Sequence, residues 1–113
     1  MASSKRPSPL PPSVFHILLA LGDEEQHGYA IMRKIGEITD GAVHMGPGTL
    51  YGSIKRMLAD GLIEEADVRP DPALDDERRR YYRVTGAGAQ ARSVEIRRMQ
   101  VLVRNATPRL GNV

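Results

Sequence analysis

The sequence has 113 residues, a formal net charge of +2, and neither cysteine nor tryptophan. This length suits a single domain, and the lack of cysteine excludes disulfides, cysteine-ligated metal centres and a thiol nucleophile. No apolar run reaches the length of a membrane span, and the N-terminal residues lack the apolar core of a signal peptide. We therefore expect a cytoplasmic protein with no membrane partner.

Residues 1–12 are predicted to form a flexible arm ahead of the first helix. They are rich in proline and serine and carry Lys5 and Arg6. Such an arm is either a solvated tail or a basic segment that touches a phosphate. The first helix is predicted over residues 13–21, with Ser13 as its N-cap, and its apolar residues on nearly all sides indicate burial.

A second helix is predicted from about His27 to about residue 40. Its inner face should hold apolar residues at helical spacing, namely Tyr29 or Ala30, Ile31, Ile35 and Ile38. The connection over residues 41–48 contains three glycines, which suit a turn with positive φ angles. Within this connection, Val43 is a candidate for a short strand.

The third helix, which begins at Pro47 and stops before Gly61, is the element that points to a function. A proline loses no hydrogen bond in the first helical turn, and a glycine suits the residue that ends a helix. Its apolar residues form one stripe: Leu50, Ile54, Met57 and Leu58. Its opposite face has no carboxylate and holds Thr49, Gly52, Lys55, Arg56 and Ala59. Such a helix fits the major groove of DNA, although an ordinary amphipathic surface helix has the same pattern.

Two strand-like segments follow, over residues 62–69 and 78–84. Placed behind a helix-turn-helix, they predict a β-hairpin wing. Strict alternation puts Val84 at the core-facing end and turns Arg79 and Arg83 outward. The arginines at 78–80 would either contact phosphates or blunt a solvated strand edge.

The last helix is predicted over residues 86–107, with Thr85 as its cap. Glu95 should form a weak ion pair with Arg98 or Arg92. The helix carries more apolar surface than so small a domain can cover, which predicts a dimer interface. We assign to this interface Val94, Ile96, Met99, Leu102, Val103 and Ala106.

The predicted fold is therefore mainly α with a small β-hairpin. We divide the chain into a flexible N-terminal arm (1–12), a winged helix-turn-helix DNA-binding domain (13–84), a C-terminal dimerisation helix (85–107) and a tail (108–113).

Two sets of polar residues invite a metal or catalytic interpretation but lack the required pattern. His16, His27 and His44 match no standard spacing of metal ligands, so a structural or capping role is the better interpretation. The acidic run at 75–77 lies in a proline-containing loop with no apolar surround to shift a pKa. The sequence also lacks a phosphate-binding loop, a dinucleotide fingerprint and a nucleophile elbow. We expect no metal, no cofactor and no enzymatic activity.

An ordered set of short motifs resembles the PadR-like family of transcriptional regulators across residues 14–107. The motifs are His27-Gly28-Tyr29, Gly48-Thr49-Leu50-Tyr51, Asp60-Gly61-Leu62-Ile63, Arg79-Arg80-Tyr81-Tyr82-Arg83-Val84-Thr85 and Gly88. The resemblance implies a winged helix-turn-helix and a homodimer built through the last helix. It also implies a ligand-responsive repressor of an inverted-repeat operator. The single C-terminal helix is similar to that of the compact subgroup.

The resemblance further implies which residues contact double-stranded DNA. These are Tyr29, Gly48, Thr49, Tyr51, Lys55, Arg79 and Arg80, to which we add Arg56 from the outer face of the third helix. Tyr82, Thr85 and Gly88 would form the junction of the wing with the last helix. The cations and the two tyrosine hydroxyls would mainly bind phosphates, whereas Thr49, Lys55 and Arg56 could reach base edges. Tyr29 and Tyr51 could equally be half-buried packing residues.

Two features depart from the family pattern. The wing tip over residues 71–77 is acidic, which disfavours phosphate contact, and the chain has no tryptophan for a stacking drug site. A small-molecule effector could instead bind between the first and last helices, near Phe15, Ile96 and Met99. The alternative function is a winged-helix module for protein–protein contact without sequence-specific DNA binding.

Overall fold

The computed structural model describes residues 8–66 and 80–111, with side chains as far as residue 107 at the C-terminal end. In chain order the elements are α1 (Pro12–Leu21), β1 (Gln26–His27), α2 (Gly28–Ile38), α3 (Pro47–Ala59), β2 (Ile63–Glu65), β3 (Tyr81–Val84) and α4 (Gly86–Gly111). These helices and their small antiparallel sheet confirm the prediction of a mainly α fold with a small β element.

α1 begins one residue earlier than predicted because two prolines set its start. Pro11 holds the N-cap position in an extended conformation, and Pro12 opens the first turn, where a missing N–H loses no hydrogen bond. The prediction that Ser13 caps this helix is wrong, since no side chain of the described residues does so. The Ser13 Oγ instead accepts a hydrogen bond from the Ser53 Oγ of α3 at 3.1 Å.

α3 has the bounds that its flanking residues predict. Gly46 is its N-cap and Pro47 its first residue. After the C-cap residue Asp60, Gly61 has a φ of 74°, the left-handed conformation that commonly follows a helix. The connection before α3 is irregular at Val43, so the short strand predicted there is wrong.

The sheet has the strand order β1-β3-β2. β3 pairs antiparallel with β2 through Ile63 and Val84, and with β1 through His27 and Tyr81. The pairing of β2 with β3 fits the predicted wing, whereas β1 was not predicted.

The alternation of β3 agrees with the sequence. Tyr82 is buried and Val84 is half-buried against the core, whereas Arg83 is exposed. Of the predicted wing, residues 67–79 lie outside the described residues, and with them Arg79 and the acidic tip at 71–77.

The core is aliphatic and centres on α1, which packs against α2, α3 and α4. Its fully buried large side chains are Ile17, Leu18, Leu21, Ile31, Ile35, Leu50, Met57 and Ile63. Ile38, which was predicted on the inner face of α2, is 42% exposed. Of the two alternatives at the start of this face, Tyr29 is also 42% exposed and Ala30 is half-buried. The buried stripe of α2 is narrower than its apolar pattern and comprises Gly28, Ile31 and Ile35.

The start of α4 is fixed by Thr85, as predicted. The Thr85 Oγ1 accepts a hydrogen bond from the Gly88 backbone N–H at 3.0 Å and donates one to the Gly61 carbonyl at 2.6 Å. Gly88 is required here because a Cβ at this position would collide with the Leu62 carbonyl. The helix then continues to Gly111, beyond the predicted end at residue 107.

Arg92 attaches α4 to the end of α1. Its guanidinium donates hydrogen bonds to the carbonyls of Leu18 at 3.3 Å and Gly22 at 3.0 Å. These carbonyls lie at the C-terminal end of α1, where helical hydrogen bonds run out. Arg92 is therefore not the partner of Glu95. Of the two predicted partners, Arg92 and Arg98, Glu95 pairs with Arg98.

Glu95 is buried, at 3% exposure, whereas the sequence suggested a weak pair. Its carboxylate accepts hydrogen bonds from Arg98 at 2.7 and 3.2 Å, and one from the Leu10 backbone N–H at 3.4 Å. The bonds from Arg98 are the main reason that the pKa of this carboxyl lies below its ordinary value. The carboxylate thus links α4 to the segment that leads into α1.

Candidate nucleic-acid interface

The outward face of α3 is exposed over its whole length. Its exposed residues include Gly48, Thr49, Gly52, Lys55 and Arg56, whereas Leu50, Ile54 and Met57 are buried. The first turn contains no acidic residue, and within the described residues no side chain caps its N–H groups. This end of the helix therefore offers backbone donors and a positive dipole end to an anion.

The two cations of α3 differ from most other basic residues in their partners. Within residues 8–66 and 80–107, no carboxylate forms an ion pair with Lys55 or Arg56. By contrast, Arg83 pairs with Glu64 at 2.7 Å and with Glu25 at 3.0 Å. The described residues thus do not neutralise the positive charge of the α3 face.

Gly48 and Gly52 are not required by the packing of the described residues. A Cβ added at either position would meet nothing within 4 Å. Because glycine in the middle of a helix is less stable than alanine by roughly 0.5–1 kcal/mol, Gly52 is locally unfavourable. Both glycines leave the backbone of α3 open to close approach by a ligand.

Tyr51 is half-buried beside the start of α2. A Cβ at Gly28 would collide with the Tyr51 hydroxyl, so Gly28 makes room for this ring. Tyr51 therefore packs against the start of α2 and also lies at the edge of the exposed α3 face. Tyr29, one residue after Gly28, is exposed instead.

A groove of about 590 Å³ lies between α3 and β3, and we call it the wing-side groove. Its walls are Tyr51, Gly52, Ile54, Lys55, Leu58, Arg80 and Tyr82. It brings together three of the predicted contact residues, Tyr51, Lys55 and Arg80. Arg80 also forms an ion pair with Glu65 at 3.6 Å, and both side chains are well exposed. Such exposed pairs contribute little, so Arg80 can exchange Glu65 for a phosphate.

A second groove, of about 390 Å³, lies between α2 and the start of α3, and we call it the α2-side groove. It is lined by Tyr29, Met32, Arg33, Gly36, His44, Met45, Gly46 and Pro47. It holds the predicted residue Tyr29 next to two basic residues, Arg33 and His44, that sequence reasoning did not assign. Arg33 could have been predicted from the sequence, because it lies four residues after Tyr29 and therefore on the same face of the helix.

His27 caps α2, which confirms its predicted structural role. Its Nδ1 accepts a hydrogen bond from the Ala30 backbone N–H at 3.2 Å, and its ring meets the Tyr81 ring edge-on with centroids 5.4 Å apart. Burial and the nearby charge of Arg33 lower the pKa of this imidazole. Across the described residues, no group of three or more potential metal ligands comes together.

The last helix presents apolar side chains that no described residue covers. Those most exposed are Leu102 at 53% and Val103 at 63%, and Val94, Met99 and Val101 are also exposed. Five of the six predicted interface residues are exposed, namely Val94, Met99, Leu102, Val103 and Ala106, whereas Ile96 is half-buried. Val101 is a further exposed apolar residue that the prediction omitted.

A third groove, of about 420 Å³, lies between α1 and α4, and we call it the α1–α4 groove. Its walls are Phe15, Leu19, Ile96, Met99, Gln100, Val103 and Arg104. Phe15, Ile96 and Met99, which were named as a hypothetical ligand site from the sequence, do line one cavity. Gln100 and Arg104 add polar groups that suit a polar or anionic substituent.

Comparison with known proteins places the chain among transcriptional regulators. Residues 17–94 match the family model described as "Transcriptional regulator PadR-like family". A Mycobacterium tuberculosis protein, Transcriptional regulator Rv3488, is 35% identical over 89 residues, which cover 79% of this chain and 77% of the relative. In addition, no helix within the described residues is long and apolar enough to cross a membrane.

Solved structures share the fold. A PadR family transcription regulator from Clostridium difficile has a TM-score of 0.69 at 20% identity, covering 88% of this chain and 99% of that one. Bacillus subtilis PadR, solved in complex with operator DNA, has a TM-score of 0.66 at 20% identity, covering 78% of this chain and 48% of that one. At these identities the likeness concerns the fold.

Proposed function

The chain belongs to the PadR-like family of transcriptional regulators, and from this premise we propose that it is a homodimeric repressor that binds an inverted-repeat operator and is released by a small-molecule effector. The observation that carries the DNA-binding part is the outward face of α3. It is exposed and free of carboxylates, and within the described residues its two cations have no ion-pair partner. The family and the M. tuberculosis relative are regulators, which confirms the prediction that the chain is not an enzyme.

In this proposal α3 enters the major groove. Thr49, Lys55 and Arg56 reach base edges, while Gly48 and Gly52 let the helix backbone approach the DNA. Tyr29, Tyr51, Lys55 and Arg80 hold phosphates and set the register, together with Arg79 from the part of the wing outside the described residues. B. subtilis PadR in its complex with operator DNA provides a precedent on the same fold.

The dimer forms through α4. Its exposed apolar side chains, including Leu102 and Val103, are more than a solvated single helix needs. A two-fold axis through paired α4 helices would place two copies of α3 on one duplex, which is the symmetry that an inverted repeat requires. Residues 13–84 would then be the DNA-binding domain, preceded by the arm at 1–12. The dimerisation helix, predicted over 85–107, would include the end of α4 as far as Gly111 and so part of the predicted tail at 108–113.

The effector would bind in the α1–α4 groove, whose open side the second copy would close. Its apolar walls suit an aromatic or aliphatic body, and Arg104 suits an anionic group. We expect a compound that raises the thermal unfolding temperature of the wild type to lose this effect in Phe15→Ala. Retention of DNA binding by that variant would show that it is folded. If the compound stabilises Phe15→Ala as much as the wild type, the site lies elsewhere.

The DNA interface is tested by comparing Lys55→Ala with Lys34→Ala on duplexes enriched from a random library. The two changes remove the same charge, but Lys34 lies on α2 in an exposed pair with Glu37 at 4.0 Å. Lys55→Ala should weaken binding by roughly tenfold and lower the slope of log K against log salt by about 0.9, whereas Lys34→Ala should change neither by much. Equal effects of the two changes would mean that Lys55 acts only through the net charge of the protein and does not contact the DNA.

A further inference from the structure

The α2-side groove holds two basic residues, Arg33 and His44, that have no role in the interface described so far. We propose that this groove binds a phosphate of the DNA strand opposite the one that meets Lys55 and Arg80, with Arg33 as the principal contact and His44 as a second donor. The inference rests on the proposed function, because it adds contacts to the same complex.

The lining of the groove places the polar side chains of Tyr29, Arg33 and His44 around one opening. α2 supplies Tyr29, Met32, Arg33 and Gly36, which lie at positions i, i+3, i+4 and i+7 and so form a single face. The opposite wall contains His44 and Pro47, and Pro47 is the first residue of α3. The groove therefore adjoins the first turn of α3, where Gly48 and Thr49 are exposed.

The charge of Arg33 is not neutralised within the described residues. The side chain is exposed, and no described carboxylate pairs with it. The positive charge of Arg33 also lowers the pKa of the nearby His27 imidazole, in addition to the larger effect of burial. The next residue, Lys34, differs in that it has a partner, Glu37, on its own helix. That exposed pair, at 4.0 Å, contributes little, and the difference that matters is position, since Arg33 lines the groove and Lys34 does not.

The width of the DNA major groove indicates which ligand the α2-side groove of the protein would bind. The major groove of B-DNA is about 12 Å wide, so a helix inside it has a sugar-phosphate strand on each side. In the proposed complex the wing-side groove, which is lined by Lys55 and Arg80, would face one strand. α3 contributes to the walls of both grooves. The other wall of the α2-side groove is α2, which corresponds to the first helix of a helix-turn-helix, the one that crosses the DNA backbone. A phosphate of the second strand is the anion that this arrangement would meet.

The experiment compares Arg33→Ala with Lys34→Ala in the full-length chain, on a duplex enriched from a random library by the wild type. Binding is measured over a series of salt concentrations. Arg33→Ala should bind roughly tenfold more weakly and lower the salt slope by about 0.9, while Lys34→Ala should remain close to the wild type. Arg33→Lys keeps the charge and should restore the slope. His44→Ala should weaken binding by a smaller factor.

A second readout separates a phosphate contact from a base contact. Because a phosphate carries no sequence information, Arg33→Ala should weaken binding to the selected duplex and to its single-base variants by the same factor. Equal effects of Arg33→Ala and Lys34→Ala would overturn the inference alone. Failure of the wild type to bind any duplex would overturn the proposed function and the inference with it.

Discussion

At the scale of single residues, His27 shows how one side chain joins two elements and makes stability depend on pH. Its neutral Nδ1 accepts the hydrogen bond that caps α2, and its ring rests on Tyr81 of β3. Protonation would place a proton on Nδ1 and remove this acceptor. The pKa of His27 is lowered from 6.5 in the folded chain, so the unfolded chain binds more protons between the two values. The resulting stabilisation is present above pH 6.5 and is lost as the pH falls from 6.5 through the folded pKa.

We expect His27→Asn to make the stability less dependent on pH in this range. Asparagine can still cap α2 but does not titrate. Urea unfolding from about pH 7 to about pH 5 should therefore show a shallower loss of unfolding free energy in the variant than in the wild type. His44→Asn, which removes an exposed histidine that caps no helix, controls for the loss of an imidazole. An equally steep loss in His27→Asn and the wild type would rule out this role for His27.

At the scale of elements, α4 is held at one end and uncovered at the other. Thr85 bonds to Gly61 in the turn before β2, Arg92 bonds to the end of α1, and Glu95 bonds to Leu10 just ahead of α1. Beyond them Leu102 and Val103 are exposed, and the packing of the described residues gives no reason for these apolar side chains. The proposed dimerisation through α4 would supply that reason.

Sedimentation of Leu102→Glu tests this role of α4. A carboxylate in a buried apolar interface is strongly unfavourable, so the variant should sediment as a monomer at concentrations where the wild type is a dimer. Leu102→Met keeps the side chain apolar and should remain dimeric. Dimers of normal stability in Leu102→Glu would move the interface away from this part of α4.

Local signals explain which elements and contacts the sequence could predict. Pro47 and Gly61 fix α3 because proline suits a first turn and glycine a left-handed residue, so both ends were predictable. β1 has two residues and exists through pairing with β3, which leaves no periodic pattern to find. The hydrogen bonds of Arg92 join residues about 70 positions apart along the chain. Such contacts depend on the tertiary arrangement, and so does the burial of Glu95.

At the scale of the whole molecule, the described cations fall into two groups. Arg83, Arg92 and Arg98 bind carboxylates or carbonyls and hold the fold together. Arg33, Lys55 and Arg56 on α2 and α3 have no ion-pair partner within the described residues, and neither do Arg97 and Arg104 on α4. The sequence indicated the cations of α3 from their place on the helix, but the partners that set the other group apart are visible only in the folded chain.

We propose that two copies of α3, related by a two-fold axis, read an operator. The most direct measurement is selection of bound duplexes from a random DNA library by the full-length protein, at low and at moderate salt. We expect enrichment of an inverted repeat whose half-sites are about one helical turn apart, roughly 34–36 Å centre to centre. Salt-dependent binding without an enriched sequence, or no binding at either salt concentration, would contradict this proposal.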